Sequence, residues 1–244
     1  MIKRKQQQVS YLSDEAGFTI IESLVAILIV AILLAAIAPT IVIATATRVQ
    51  SKRVEQATQA ARSFIDGVKS GAVTTPATTI TLTQSAVATP RYLSDNLLNT
   101  GSTSMPAPTS STSLYCVRKD GNNNLAIANP DCTTPPTGMT NLFYIQAVKI
   151  VVAGSTPTDT TTGLPKDGYR LGIRVYRSDI DFTNAKASNG SDKKTQRTFT
   201  GTLGDRQSPL VEMTTEIASR STSFNALCQR LAITGSTTSN TTCN

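Results

Sequence analysis

Residues 17–22 read Gly17-Phe18-Thr19-Ile20-Ile21-Glu22, and the stretch that follows, SLVAILIVAILLAAIAPTIVIATAT (23–47), holds 25 residues without a charge. About twenty consecutive apolar residues suffice for a helix to cross the hydrocarbon core of a bilayer, so the run predicts a membrane-length helix. Residues 18 to about 70 should form one long helix, whose first half, to Ile43, is apolar on every side, as a helix in lipid or in a packed filament core must be. Glu22 is the anomaly. An ionisable group in such a segment costs roughly 3 kcal/mol on insertion scales and marks a functional site by default. The cost falls if the carboxylate gains a cationic partner. A cut between Gly17 and Phe18 would create one, the new α-amino group of Phe18, at the same helix terminus.

Upstream, Lys3-Arg4-Lys5 is separated from the apolar run by the polar stretch Gln6 to Glu15. An ordinary secretory signal would place an apolar core of roughly 7–15 residues after its basic region, then a small-residue cleavage site. The run here is longer. A plain signal anchor accounts for the length but not for Gly-Phe-x-x-x-Glu.

A basic leader ending in Gly, a following Phe, and a Glu five residues into the new chain resemble the class III signal of type IV prepilins and pseudopilins. Counted from Phe18, Glu22 is the fifth residue and Pro39 the twenty-second, where many type IV pilins also carry proline. The resemblance covers about residues 14–70. It implies cleavage after Gly17 by a membrane prepilin peptidase and N-methylation of Phe18. It also implies assembly with other pilins or pseudopilins on an inner-membrane platform. In the filament, the Phe18 ammonium of one subunit would pair with a Glu22 carboxylate; leaving either charge alone in low dielectric is costly. Glu22 would also sit favourably at the positive end of the helix dipole. The 17-residue leader suggests a minor pilin or pseudopilin rather than a major pilus subunit. The stretches 47–71, 168–177 and 199–217 are similar to cyanobacterial pseudopilins associated with hormogonium polysaccharide secretion.

The expected organisation is a leader (1–17), an N-terminal helix (18–70, membrane-spanning over about 20–43) and an extracytoplasmic globular domain (71–244). After Thr47, Ala57, Ala61, Phe64, Ile65 and Val68 recur at spacings of three and four between polar residues. That stripe should dock on the globular domain. Pro39, lacking a backbone donor, is expected to kink or open the helix; Gly67 weakens its end and Gly71 is a plausible stop. Downstream, Thr79–Leu82, Leu142–Val152, Tyr169–Arg177 and Leu210–Ile217 are strand candidates. In the third, Tyr169, Leu171, Ile173 and Val175 alternate with Arg170, Gly172 and Arg174, which predicts a half-buried antiparallel strand. Stretches 100–113 and 154–165, rich in Ser, Thr and Pro, are expected to be exposed loops. The fold class is therefore α+β, a pilin-like long helix packed on a C-terminal antiparallel sheet.

Three basic residues precede the apolar run and three, Arg48, Lys52 and Arg53, follow it closely, so the positive-inside count is a tie. Cysteine usage breaks it. Cys116, Cys132, Cys228 and Cys243 all lie after the run, and an even count placed so suits an oxidising compartment. The N-terminus is thus expected in the cytoplasm and the C-terminal domain outside it. Of three pairings, the sequence-local one, Cys116–Cys132 with Cys228–Cys243, is favoured; each loop is worth about 3 kcal/mol in the chain-entropy model.

The chain has no histidine, no phosphate-binding Gly-rich loop and no Cys-x-x-Cys. The commonest general base and the usual zinc sites are therefore missing, and neither an enzyme nor a cofactor is expected. Asp120, Asn122, Asn124 and Asp131 follow part of a calcium-loop pattern, but Leu125 stands where Gly is needed, so a polar turn is the better reading. Net charge is +7, without the aromatic interleaving of a nucleic-acid platform. Membrane lipid is an expected partner. Acidic polysaccharide is a further candidate, on a basic strand face around Arg170 and Arg174, in an adhesive minor pilin.

Overall fold

The computed structural model of the chain describes residues 19–84, 105–119, 121–122, 125–128, 130, 132, 135, 137–153, 158–159, 164–188, 194–196 and 204–231. It divides into two compact units, Met1–Thr45 and Ala46–Asn244.

Helix α1 runs over Ile20–Ser70, 51 residues. In the first unit its large apolar side chains, from Ile20 to Ile43, are all exposed. The helix continues through Pro39. The hydroxyls of Thr40 and Thr45 turn back onto main-chain carbonyls of the preceding turn, at 2.7 Å to Ile37 and 2.9 Å to Val42. Their polarity is thereby satisfied without water.

In the second unit α1 buries a stripe of Ala57, Ala60, Ala61, Phe64 and Val68. Small residues on three of those positions let the helix approach the sheet closely, and Phe64 fills the space between. Its ring meets Tyr115 edge-on, with centroids 4.7 Å apart. The helix ends at Gly71, whose φ of 76° is a left-handed C-terminal turn. Gly67 has a role beyond weakening the helix: a Cβ there would lie 2.6 Å from the Val73 side chain, which folds back over it.

Six strands form one sheet: β1 Thr79–Leu82, β2 Tyr115–Lys119, β3 Leu125–Ala128, β4 Thr140–Val152, β5 Tyr169–Arg177 and β6 Val211–Ile217. The order is β3-β2-β4-β5-β6, antiparallel throughout, while β1 pairs in parallel with the end of β4. A short helix, α2, covers Phe224–Leu231; the Ser223 hydroxyl caps it by accepting from the Ala226 N–H at 3.1 Å.

One face of the sheet packs on α1 through Val117, Ile145, Ala147, Tyr169, Leu171, Ile173 and Val175. The other face is covered too. Met105 lies on Val148 and Ile150, and Ile180 joins Leu114, Tyr144 and Tyr176. Two expectations are corrected here. β5 is buried on both faces rather than half-buried, because connecting segments cover the side away from the helix. Met105, placed by sequence in an exposed loop, is 1% exposed and is part of that cover.

Candidate functional site

Glu22 sits in the first turn of α1 and is exposed. The residue that sets its position is Thr19, just before the helix. The Glu22 N–H donates to Thr19 Oγ1 at 3.3 Å and to the Thr19 carbonyl at 3.0 Å. Thr19-x-x-Glu22 thus has the spacing of a capping box, in which the hydroxyl satisfies an orphan N–H and the acid stands at the positive end of the helix dipole. This role of Thr19 escaped the sequence reading, although Thr followed three residues later by Glu was its signal. Gly17 and Phe18 lie outside the described residues. Pro39 is inside α1, seventeen residues beyond Glu22.

Cys116 and Cys132 are joined, with Cα atoms 5.6 Å apart. The bond ties β2 to the segment after β3, in the cluster with Leu114, Tyr144, Tyr176 and Ile180 on the face of the sheet away from α1. Cys228 lies on α2; no cysteine among the described residues is free. Cys243 lies outside them. So do Asp120, Asn124 and Asp131 of the calcium-like pattern, while Asn122 is within a turn. Among the described residues no cluster of three or more His, Cys, Asp or Glu could hold a metal ion.

The basic strand face is corrected. Arg174 is fully buried and Arg170 is 8% exposed. Arg174 Nε donates to Glu212 Oε1 at 2.6 Å, Nη2 donates to the Ser188 carbonyl at 3.1 Å, and Nη1 donates to the Met105 carbonyl. The Ser188 hydroxyl completes the set on Glu212 Oε2 at 2.6 Å. This guanidinium locks two covering segments onto the sheet; it does not face solvent. Arg170 lies 3.7 Å from Glu216, which also accepts from Arg230 of α2 at 2.9 Å. Neither arginine presents a surface to a polymer.

On the helix side of the sheet, Tyr169 has no hydrogen-bond partner for its hydroxyl. Burial, and then the neighbouring Tyr115, push its ionisation up to about 12. Tyr115 is raised by burial in spite of donating to the Thr74 carbonyl at 2.8 Å.

α1 is long and apolar enough, by length and composition, to cross a membrane. Residues 12–38 match the family model described as the prokaryotic N-terminal methylation motif. The match begins before the Gly17-Phe18 pair, includes Thr19 and Glu22, and ends within the exposed apolar part of α1. No curated protein and no solved structure matches the chain. The motif implies processing by prepilin peptidase and assembly with other pilins, and with the apolar helix it fits a membrane-anchored pilin. A methylation motif at the head of a membrane-length helix, followed by an α+β domain whose sheet packs on the later part of that helix, makes this chain type IV pilin-like.

Proposed function

We propose that the chain is a minor pilin or pseudopilin, a structural rather than catalytic subunit of a type IV pilus- or type II secretion-like filament. One observation carries this reading: the methylation motif over residues 12–38 spans the end of the leader, the Gly17-Phe18 pair, Glu22 and the start of the apolar helix. The leader is cut after Gly17, Phe18 is N-methylated, and the helix holds the protein in the inner membrane with its N-terminus cytoplasmic. Methylation keeps the positive charge. On assembly the Phe18 ammonium of one subunit pairs with a Glu22 carboxylate. A helix displaced by one turn would leave an uncompensated charge in low dielectric, so the pair selects the register. Pro39 is the site where the helix opens under strain. Cys228 pairs with Cys243, closing a second loop of the extracytoplasmic domain. The similarity of stretches 47–71, 168–177 and 199–217 to pseudopilins of polysaccharide secretion favours a filament serving polysaccharide export and motility. An adhesive role through Arg170 and Arg174 is not retained, since both are buried.

Mass spectrometry of the membrane-extracted protein tests the reading. The expected product begins at N-methylated Phe18. An intact leader in a peptidase-competent host would reduce the segment to a signal anchor. Glu22→Gln should be processed normally yet enter filaments at least about ten-fold less, as expected where a buried charge loses its partner.

A further inference from the structure

Cys116 and Cys132 are buried to the same extent, 0% and 1% exposed, yet their sulfurs meet opposite neighbours. Arg118, two residues further along β2 and itself buried, donates from Nη2 to Cys116 Sγ at 3.6 Å and from Nε to Asn141 Oδ1 at 3.1 Å. Cys132 Sγ instead lies 3.0 Å from the Leu114 carbonyl oxygen. A cation beside sulfur favours the thiolate, which is the nucleophile in thiol–disulfide exchange. A carbonyl oxygen favours the protonated thiol, whose S–H it accepts, and so opposes the anion. Tyr144 stands opposite Cys116 on β4, and Tyr176 opposite Tyr144 on β5; burial raises the ionisation of Tyr176. Beyond β5, Asp179 pairs with Arg177 at 2.6 Å and Asp181 accepts from the Thr183 N–H at 3.0 Å. The described residues of the cluster around the two sulfurs include no carboxylate. In sequence, the residue before Cys132 is an acid, Asp131.

We propose that Cys116 is the nucleophile of this pair, the thiol that takes a partner's disulfide first, and that Cys132 resolves the adduct. The partner is a thiol oxidant that carries a disulfide. Arg118 is a positioning residue that acts through Cys116. In the first step the Cys116 thiolate attacks one sulfur of the partner's disulfide. A bond forms between Cys116 Sγ and that sulfur, the partner's own S–S bond breaks, and its second sulfur leaves as a thiolate. In the second step Cys132 gives its proton to solvent and attacks Cys116 Sγ. The Cys116–Cys132 bond forms and the remaining partner sulfur departs as a thiolate. Two electrons pass to the partner, which takes up two protons from solvent and ends as two thiols. Burial does not choose between the cysteines, because it is equal; charge does. Opening of the segment that carries Cys132 leaves Cys116 and Arg118 together on β2, so the order holds while the oxidant is admitted.

The test uses the full-length chain, reduced, in detergent. Alkylation by iodoacetamide is followed against pH by mass spectrometry, peptide by peptide, so that Cys228 and Cys243 are read separately. Cys116 should react with a pH midpoint about one unit below that of Cys132, as a thiol beside arginine does. Arg118→Gln should remove most of that gap, and Arg118→Lys, which keeps the charge, should retain it. Oxidised glutathione serves as the probe disulfide. At pH 7, Cys132→Ala should take glutathione onto Cys116 about three-fold faster than Cys116→Ala takes it onto Cys132; ten-fold more thiolate is partly offset by its lower nucleophilicity. Equal midpoints, or Cys132 reacting first, would overturn the proposal, and the parent chain alone decides this should Arg118→Gln fail to fold. A gap indifferent to a folded Arg118→Gln chain would overturn the role of Arg118. A gap unchanged in urea would assign the order to sequence neighbours and overturn the tertiary assignment.

Discussion

The two parts of α1 are one continuous helix built for two surroundings. From Ile20 to Ile43 the large apolar side chains point in every direction and all are exposed. From Gln50 to Val68 the buried residues fall on one stripe, with Glu55, Gln59, Arg62 and Asp66 exposed between them. Helix propensity does not separate the two. What differs is the hydrophobic period: absent where the environment is apolar all round, near 3.6 residues where one side faces a sheet and the other water.

The sharpest way to test that difference is to cut the same kind of side chain from each part. Phe64→Ala should cost the folded domain about 3–5 kcal/mol, since it empties a fully buried site. Leu28→Ala, at a residue 60% exposed, should leave denaturant midpoints of the domain unchanged. Equal losses in urea or guanidinium titrations would break the comparison.

A charge probes it from the other direction. Leu28→Arg should oppose membrane insertion by about 2.5–3.5 kcal/mol, read as a fall in the inserted fraction in a translocation assay. Gln59→Arg, on the exposed side of the later part, should leave both insertion and domain stability within about 0.5 kcal/mol of the parent.

The smallest effect lies in the pH response of the sheet that the later part covers. Tyr169 ionises near 10 when unfolded and at about 12 in the fold, so between those values the folded state holds more protons than the unfolded one. Its contribution is complete below pH 10 and is lost as pH rises toward 12. Tyr169→Phe removes a hydroxyl that has no partner. It should be nearly neutral at pH 7 and should flatten the loss of stability between pH 10 and 12. An unchanged alkaline slope in chemical denaturation would assign that loss to other groups.

Much of this architecture was legible because its signals are local. The length of the apolar run, the 57-61-64-68 spacing and the alternation over 169–177 each lie within one element, and α1 and β5 follow them. β2 and β3 were missed because Tyr115–Lys119 and Leu125–Ala128 are five and four residues long, too short to establish a period. α2, at eight residues, offers little more than two turns.

The amino-acid sequence alone determined the membrane-length helix, the place of Glu22 within it and the side of β5 that meets α1. Each follows from side-chain chemistry repeated at the period of a single element. Only the tertiary structure decided what lies on the other side of the sheet. Alternation over β5 is the same whether its second face meets water or protein. Arg174 became buried because Met105 and Ser188, 69 and 14 residues away in sequence, bring their carbonyls to its guanidinium. Gln50 became buried because Gln196 reaches it across 146 residues. A polar side chain carries no local mark of burial; its partners do, and folding alone brings them together.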